Sequence, residues 1–418
     1  MKIQTITDTN FKGYDARALK GFLMSSNCQN IALEMMNIGK KEGFKIYTVK
    51  NNKLVEELPK YSENTAGLWA QDLWSIVKNK LLSLEYDKNF YAIKNALGLK
   101  MDFTEKICHE TDKIKELNQN IWDIFDELGK SKRTRERSIS DVTKDFEEKK
   151  IQLLKQQKEA HIPGGNMFIV NGEKGDELLI GENELEKFSL DEIEAMFGCK
   201  KITVLPQMDY HLDLFIRPLD KRRILVADDK KTLEVLKTAL DKLKKYMHSA
   251  PTKEKKKLEC IYENLSNKIT SFEKTFSSNG LPNCEEITNI LSKAGYKPIK
   301  IPGRVYDITK DIDNIQSIRH FCNYINANAL KNKKDEIVYI TNKSNIDSEL
   351  GLTPEICSKI GFSFEDAFIK SISRFVKPNK IYFIKGNDDF VAKEMLTIYQ
   401  GGIHCTCTEI PKNVKIKK

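Results

Sequence analysis

The stretch GGIHCTCTEIP (401–411) sets two glycines, a His and two cysteines within seven residues. A thiolate is the attacking form of cysteine, and a protonated His or a cationic substrate beside it favours that form. Gly401 and Gly402 let the chain turn and leave room for a ligand to lie close. The residues alone leave Cys405, Cys407 or neither as the reactive thiol. A His-x-Asp pair stands at His211 and Asp213 in MDYHLDLFIRP (208–218). Residues two apart on an extended strand share a side, so the pair reads as a proton carrier beside a cation-binding carboxylate, or else as a surface or core His. Asp72 lies between Trp69 and Trp74 in AGLWAQDLWSIV (66–77), where a carboxylate needs a cation or donors to offset its desolvation, unless it simply caps a helix. Gly164 and Gly165 precede a strand in HIPGGNMFIV (161–170), as a tight bend, a hairpin or a close approach to a ligand requires. Walker and GxGxxG spacings are absent from that stretch.

The elements that must position these residues follow from the apolar pattern. Strand-like runs recur at 45–49, 167–170, 201–205, 214–219, 222–227, 337–341 and 381–385 with helix-like segments between, which predicts an α/β chain of repeated small units. Two segments break the rhythm. Ile114, Leu117, Ile121, Ile124 and Leu128 mark an apolar helical face within 102–160. Leu233, Leu236, Leu240, Leu243 and Met247, then Leu258, Ile261, Leu265, Ile269 and Phe272, mark two helices joined at SAP (249–251), a helical hairpin over 231–275. The remaining parts, 1–101, 161–230 and 276–418, read as one interrupted catalytic unit. The insertions read as covers for the core or as arms for a protein partner.

Composition excludes several classes. The 418 residues are 40% hydrophobic and 31% charged, enough to bury a full core. Nine cysteines, an odd number with no CxxC pair and no zinc-finger spacing, argue against a disulfide framework and a structural metal. The net charge of +9 is spread over 69 basic and 60 acidic residues, and only KSKRTRER (130–137) is dense enough to suggest an anionic partner, so no nucleic-acid role is expected. With no apolar leader and no run of 18 apolar residues, the chain reads as soluble and cytoplasmic, with no membrane partner.

Taken in order, WAQD, PGGN, HLD, YINANAL (324–330) and GGIHCTCTEIP resemble the guanidine-modifying, or pentein, superfamily: agmatine, arginine and protein-arginine deiminases and amidinotransferases. The end motif is similar to that of bacterial agmatine deiminases, which are grouped with bacterial peptidylarginine deiminases. The resemblance spans roughly 60–412 without the two insertions. It implies a five-bladed propeller of ββαβ units, an α/β fold around a central site, here carrying helical insertions.

By position, the resemblance implies that Asp72 and Asp213 grip a guanidinium, Cys405 attacks its central carbon, and His211 protonates the departing ammonia and then activates water. Trp69, Gly165 and Gly402 fall at its substrate-binding positions, and no cofactor or metal is implied. Such a hydrolase would turn peptidyl arginine into citrulline; agmatine deimination, amidino transfer and a non-catalytic scaffold are the alternatives. Two details are read from local geometry. Neighbours in an extended segment face opposite ways, which points His404 away from the site and lets Cys407 share the face of Cys405. Pro163 stands where agmatine and arginine deiminases usually carry an acid that supports the His, and this tilts the reading towards a peptidyl substrate.

Overall fold

Runs such as IVYITN and RILVA are apolar on both faces, as strands covered on both faces should be. The computed structural model describes residues 19–24, 29–50, 53–56, 74–77, 80–83, 93, 95–98, 162–172, 175–199, 201–278, 284–310, 316–386, 401–411, 414 and 416. Trp69, Asp72, the segment 102–160 expected to be helical and its basic cluster lie outside them.

In chain order the elements are β1 (Leu19–Met24), α1 (Gln29–Glu42), β2 (Lys45–Lys50), β3 (Lys53–Val55), β4 (Trp74–Val77), β5 (Lys80–Ser83), β6 (Met167–Gly172), β7 (Gly175–Gly181), α2 (Leu190–Phe197), β8 (Lys201–Leu205), β9 (Ile216–Pro218) and β10 (Arg223–Ala227). There follow α3 (Asp229–Ser249), α4 (Thr252–Ser278), α5 (Cys284–Lys293), β11 (Lys297–Ile301), β12 (Arg304–Lys310), β13 (Gln316–Asn323), β14 (Ala327–Lys331), β15 (Ile337–Asn342), α6 (Ile346–Glu349), α7 (Pro354–Ile360), α8 (Phe364–Ile372), β16 (Ile381–Ile384) and β17 (Cys407–Pro411).

One pairing rule recurs. β7, β10 and β15 each run antiparallel to the strand before them and parallel to the strand that follows a helix, β8, β11 and β16. A parallel step needs a crossover, and α2, the α3–α5 group and the α6–α8 group supply it. A fourth sheet has the same pattern but is assembled from distant parts: β1 runs parallel to β2 across α1 and antiparallel to β17, with Met24 opposite Cys407. The strand that follows Cys405 is thereby anchored to residues 19–24. β4–β5 and β12–β13 form separate two-stranded sheets. Among the described residues no helix is long and apolar enough to cross a membrane.

Helix ends follow local rules. Ser189 and Glu192 form a capping box on α2, which stops at Gly198 with φ 66°. Asp228 caps α3 by accepting from the Lys230 and Lys231 amides. That helix ends where Ala250 turns extended ahead of Pro251, a residue that disfavours helix before it. Leu233, Leu236 and Leu243 of α3 and Leu258, Leu265, Ile269 and Phe272 of α4 join the same buried cluster as Leu225, Ile301 and Tyr306. The hairpin's apolar seam is thus used within the chain's own core.

A buried ion network ties that hairpin to the sheets. Arg304, 1% exposed, donates from Nε and Nη2 to the two oxygens of Asp229 at 3.0 Å each, and Tyr306 Oη donates to Asp229 at 2.9 Å. Removing one partner of a buried pair strands the other's charge without water. Asp229→Ala should therefore lower the unfolding free energy by about 3–5 kcal/mol. Lys237→Ala, which breaks only a half-exposed pair with Glu273, should change it by well under about 1 kcal/mol. Urea unfolding of both variants beside the parent checks the contrast.

Candidate active site

Three turns from separate parts of the chain meet around Asp213. The first follows Pro163, whose φ of −58° starts a single 3-10 turn, Gly164–Asn166, leading into β6. Asn166 is 1% exposed; its Nδ2 donates to Glu184 at 2.6 Å and to Gln207 at 3.2 Å, and its Oδ1 accepts from Leu212 N at 3.2 Å. One carboxamide thus joins the glycine turn to the turn carrying Asp213.

That second turn is not the strand the alternation predicts. His211 has extended backbone, φ −131° and ψ 148°, but Leu212–Leu214 is a 3-10 turn that sends both leucines into the core. His211 and Asp213 nevertheless meet at one place. A Cβ at Gly165 would come within 2.7 Å of His211 Nδ1 and 3.2 Å of either Asp213 oxygen. The bare glycine there leaves room for these two side chains.

The third turn carries Cys405. His404 O accepts from Cys407 N at 3.1 Å, and Thr406 Oγ1 donates to Ile403 O at 2.9 Å, so 403–406 is a tight turn. This overturns the expectation that His404 points away, because strand alternation does not apply within a turn. His404 is buried, and its Nδ1–H donates to Asp213 Oδ2 at 2.7 Å. Cys405 Sγ lies 3.4 Å from the same oxygen. Cys407 does not share that face: it packs with Phe22, Met24 and Ile403, and burial pushes its thiol up to about 12.

Burial alone would raise the pKa of Asp213, but the hydrogen bond from His404, with the charges of His211 and Arg217, brings it below the ordinary value. Burial pushes His404 down to about 4; Arg217 adds to this and Asp213 opposes it. A neutral imidazole donating to an ionised carboxylate satisfies both directions. Arg217 is itself fully buried, its guanidinium carbon 4.6 Å from the Phe168 ring centre. Among the described residues, Asp213 Oδ1 has no hydrogen-bond partner.

Further carboxamides brace these turns, and of them only Asn326 falls within a motif quoted above, YINANAL. Asn323 accepts from Ile325 N at 3.0 Å and Asn326 N at 3.1 Å, and donates to Leu214 O at 3.0 Å. Asn326 accepts from His404 N at 2.9 Å and donates to Cys405 Sγ at 3.2 Å. Asn342 accepts from Ile403 N at 2.8 Å. A Cβ at Gly402 would fall 2.5 Å from Asn342 Nδ2 and 2.6 Å from Asn326 Oδ1, so what lies close to that glycine is the protein's own amide layer. Cys405, His211, Asp213, Gly165 and Gly402 are thus drawn together; Asp72 and Trp69 fall outside the described residues. Among the described residues, no three His, Cys, Asp or Glu side chains converge as a metal centre needs.

No family model matches the chain, and no curated protein matches it. Among solved structures it is similar to an agmatine deiminase of C. jejuni carrying a Cys-to-Ser substitution, with substrate bound, at 12% identity over 96% of each chain and a TM-score of 0.46. A second C. jejuni agmatine deiminase structure is similar at 15% identity over 60% of this chain and 56% of the other, with a TM-score of 0.32.

The low pKa of His404 sets a pH dependence of stability. The unfolded imidazole binds a proton near pH 6.5 and the folded one only near 4, so the unfolded state holds more protons in that window. Stability from this group is present above about 6.5 and lost as pH falls towards 4, by about 2 kcal/mol at pH 5. Urea unfolding at pH 7 and pH 5 should show that loss in the parent and a smaller one in His404→Asn, which keeps a donor for Asp213 but cannot be protonated.

Proposed function

We propose that this chain is a cysteine-dependent hydrolase of guanidino groups that converts arginine residues of peptides or proteins to citrulline with release of ammonia. The observation that carries the reading is the Cys405 thiol 3.4 Å from the buried carboxylate of Asp213, whose other oxygen has no partner among the described residues, with His211 on the same glycine wall. The fivefold closure of the ββαβ units and the grip of Asp72 belong to this reading as well.

A guanidinium is planar, offers five N–H donors and spreads its charge, which makes it a poor electrophile. Asp213 Oδ1 accepts from one of its N–H groups while Asp72 takes the opposite edge, which fixes the central carbon above Cys405. Its positive charge offsets that of Asp213, so the Cys405 proton can pass to His211 and the thiolate attacks. His211 gives a proton to the departing nitrogen, ammonia leaves, and a thiouronium remains on sulfur. Water then attacks the same carbon, His211 takes its proton, and the carbon–sulfur bond breaks to release the ureido product. The half-buried Pro163 holds no carboxylate for His211, whose ring lies 4.8 Å from that of Tyr210. This departure from the agmatine and arginine deiminase motif is what favours a peptidyl substrate.

Ammonia release and ureido formation from an arginine peptide, agmatine and free arginine decide the matter. Turnover of the peptide that disappears in Cys405→Ala is the expected result. Turnover that survives in Cys405→Ala overturns the mechanism; agmatine alone as substrate overturns the peptidyl assignment. Guanidinylated product on adding glycine, ornithine or lysine would reassign the reaction as amidino transfer. With the active substrate, Gly165→Ala should cost about 100-fold in kcat/KM, because its methyl forces His211 and Asp213 to shift.

A further inference from the structure

Asn326 is fully buried, and its carboxamide can be oriented without ambiguity. The backbone N–H of His404 can only donate, so the atom 2.9 Å from it is the carboxamide oxygen. The amide nitrogen is left facing Cys405 Sγ at 3.2 Å. The backbone of Asn326 is held as firmly: its N–H donates to Asn323 Oδ1 at 3.1 Å and its carbonyl accepts from Asn342 Nδ2 at 3.2 Å.

An N–H aimed at sulfur discriminates between its two protonation states. A thiolate is a far better acceptor than a thiol, so the donor stabilises the anion more than the neutral form. The groups facing the sulfur pull in different directions. Asp213, 3.4 Å away, carries negative charge that opposes ionisation. His404, neutral and bonded to Asp213, adds no positive charge, while the charges of His211 and Arg217 act on Asp213 and hold it ionised.

We propose that Asn326 is a further catalytic residue, whose Nδ2–H donates to the Cys405 sulfur and stabilises its thiolate against the charge of Asp213. The role deepens the guanidine-hydrolase reading and rests on it, since it takes Cys405 as the nucleophile. The same side chain, through Oδ1, fixes the backbone just before the nucleophile, so stabilising the sulfur and aiming it are one act.

The test is a pH titration of thiolate ultraviolet absorbance, taken as the difference between each protein and its Cys405→Ala counterpart. No substrate is needed. In Asn326→Ala the Cys405 midpoint should move to higher pH by about one unit, a tenfold loss of thiolate at fixed pH. Asn326→Asp keeps an oxygen for His404 N and replaces the donor with negative charge, so its midpoint should move further. Circular dichroism confirms the fold of each variant. A folded Asn326→Ala with the parental midpoint overturns the proposal; should that variant not fold, Asn326→Asp with the parental midpoint does so. A shifted midpoint in a protein inactive on every guanidine would sink the hydrolase reading and leave the sulfur contact standing; turnover with an unshifted midpoint would do the reverse.

Discussion

Asp213 carries its charge with no exposed surface, and the arrangement around it follows from that fact. An ion withdrawn from water costs several kcal/mol unless donors or an opposite charge meet it. Here one oxygen takes the Nδ1–H of His404, and that requirement dictates the turn at 403–406, since an extended segment would carry His404 away. Placing His404 inward brings Cys405 to the same oxygen. The imidazole stays neutral there, so His404 meets the Asp213 charge with a hydrogen bond and no counter-charge, and the second oxygen lacks a donor among the described residues. A planar cation with several N–H groups would satisfy both deficits at once, which is why the guanidinium reading fits the carboxylate as well as the cysteine.

The braces around this anion are amides, and charge explains the choice. A carboxamide has a donor and an acceptor and no charge, so it can hold two backbone segments together without altering the field at Asp213. Asn166 ties the glycine turn to Leu212, Asn323 ties the turn after β13 to Leu214, and Asn342 holds Ile403. Lysine or arginine at these places would neutralise the carboxylate from within and compete with a cationic ligand. Arg217, buried against the face of Phe168, acts on the site through its charge, which lowers the pKa of both Asp213 and His404.

The elements were legible in the sequence wherever apolar spacing was regular. IVYIT, RRILVA and KITVL became strands, and the Leu233–Met247 and Leu258–Phe272 seams became α3 and α4, because burial of both faces of a strand or of one face of a helix decides such segments. Of the candidate residues with distinctive chemistry, Cys405, His211 and Asp213 lie close together, while Asp72 and Trp69 fall outside the described residues. The alternation rule failed for His404, Cys407 and the HLD stretch, since each lies in or beside a tight turn and no periodicity marks a turn of three or four residues. Asn323, Asn326 and Asn342 escaped for another reason. Asparagine is an ordinary turn residue, and its partners at Leu214, Cys405 and Ile403 stand far away along the chain, where only the fold supplies the meeting.

The same distance effect hid the link between the hairpin and the site. Asp209, two residues before His211, holds the Tyr210 amide with one oxygen at 2.9 Å, while its other oxygen lies 3.4 Å from Arg304 Nη1 and 2.9 Å from His320 Nε2. Arg304 in turn holds Asp229, the first residue of α3. A guanidinium with a rigid fork can serve two carboxylates at fixed separation, which a flexible ammonium would do less well. The start of the hairpin and the approach to His211 are therefore set by a single buried cation. The helices that interrupt the sheet pattern hold the turn on which His211 depends, in addition to covering the core.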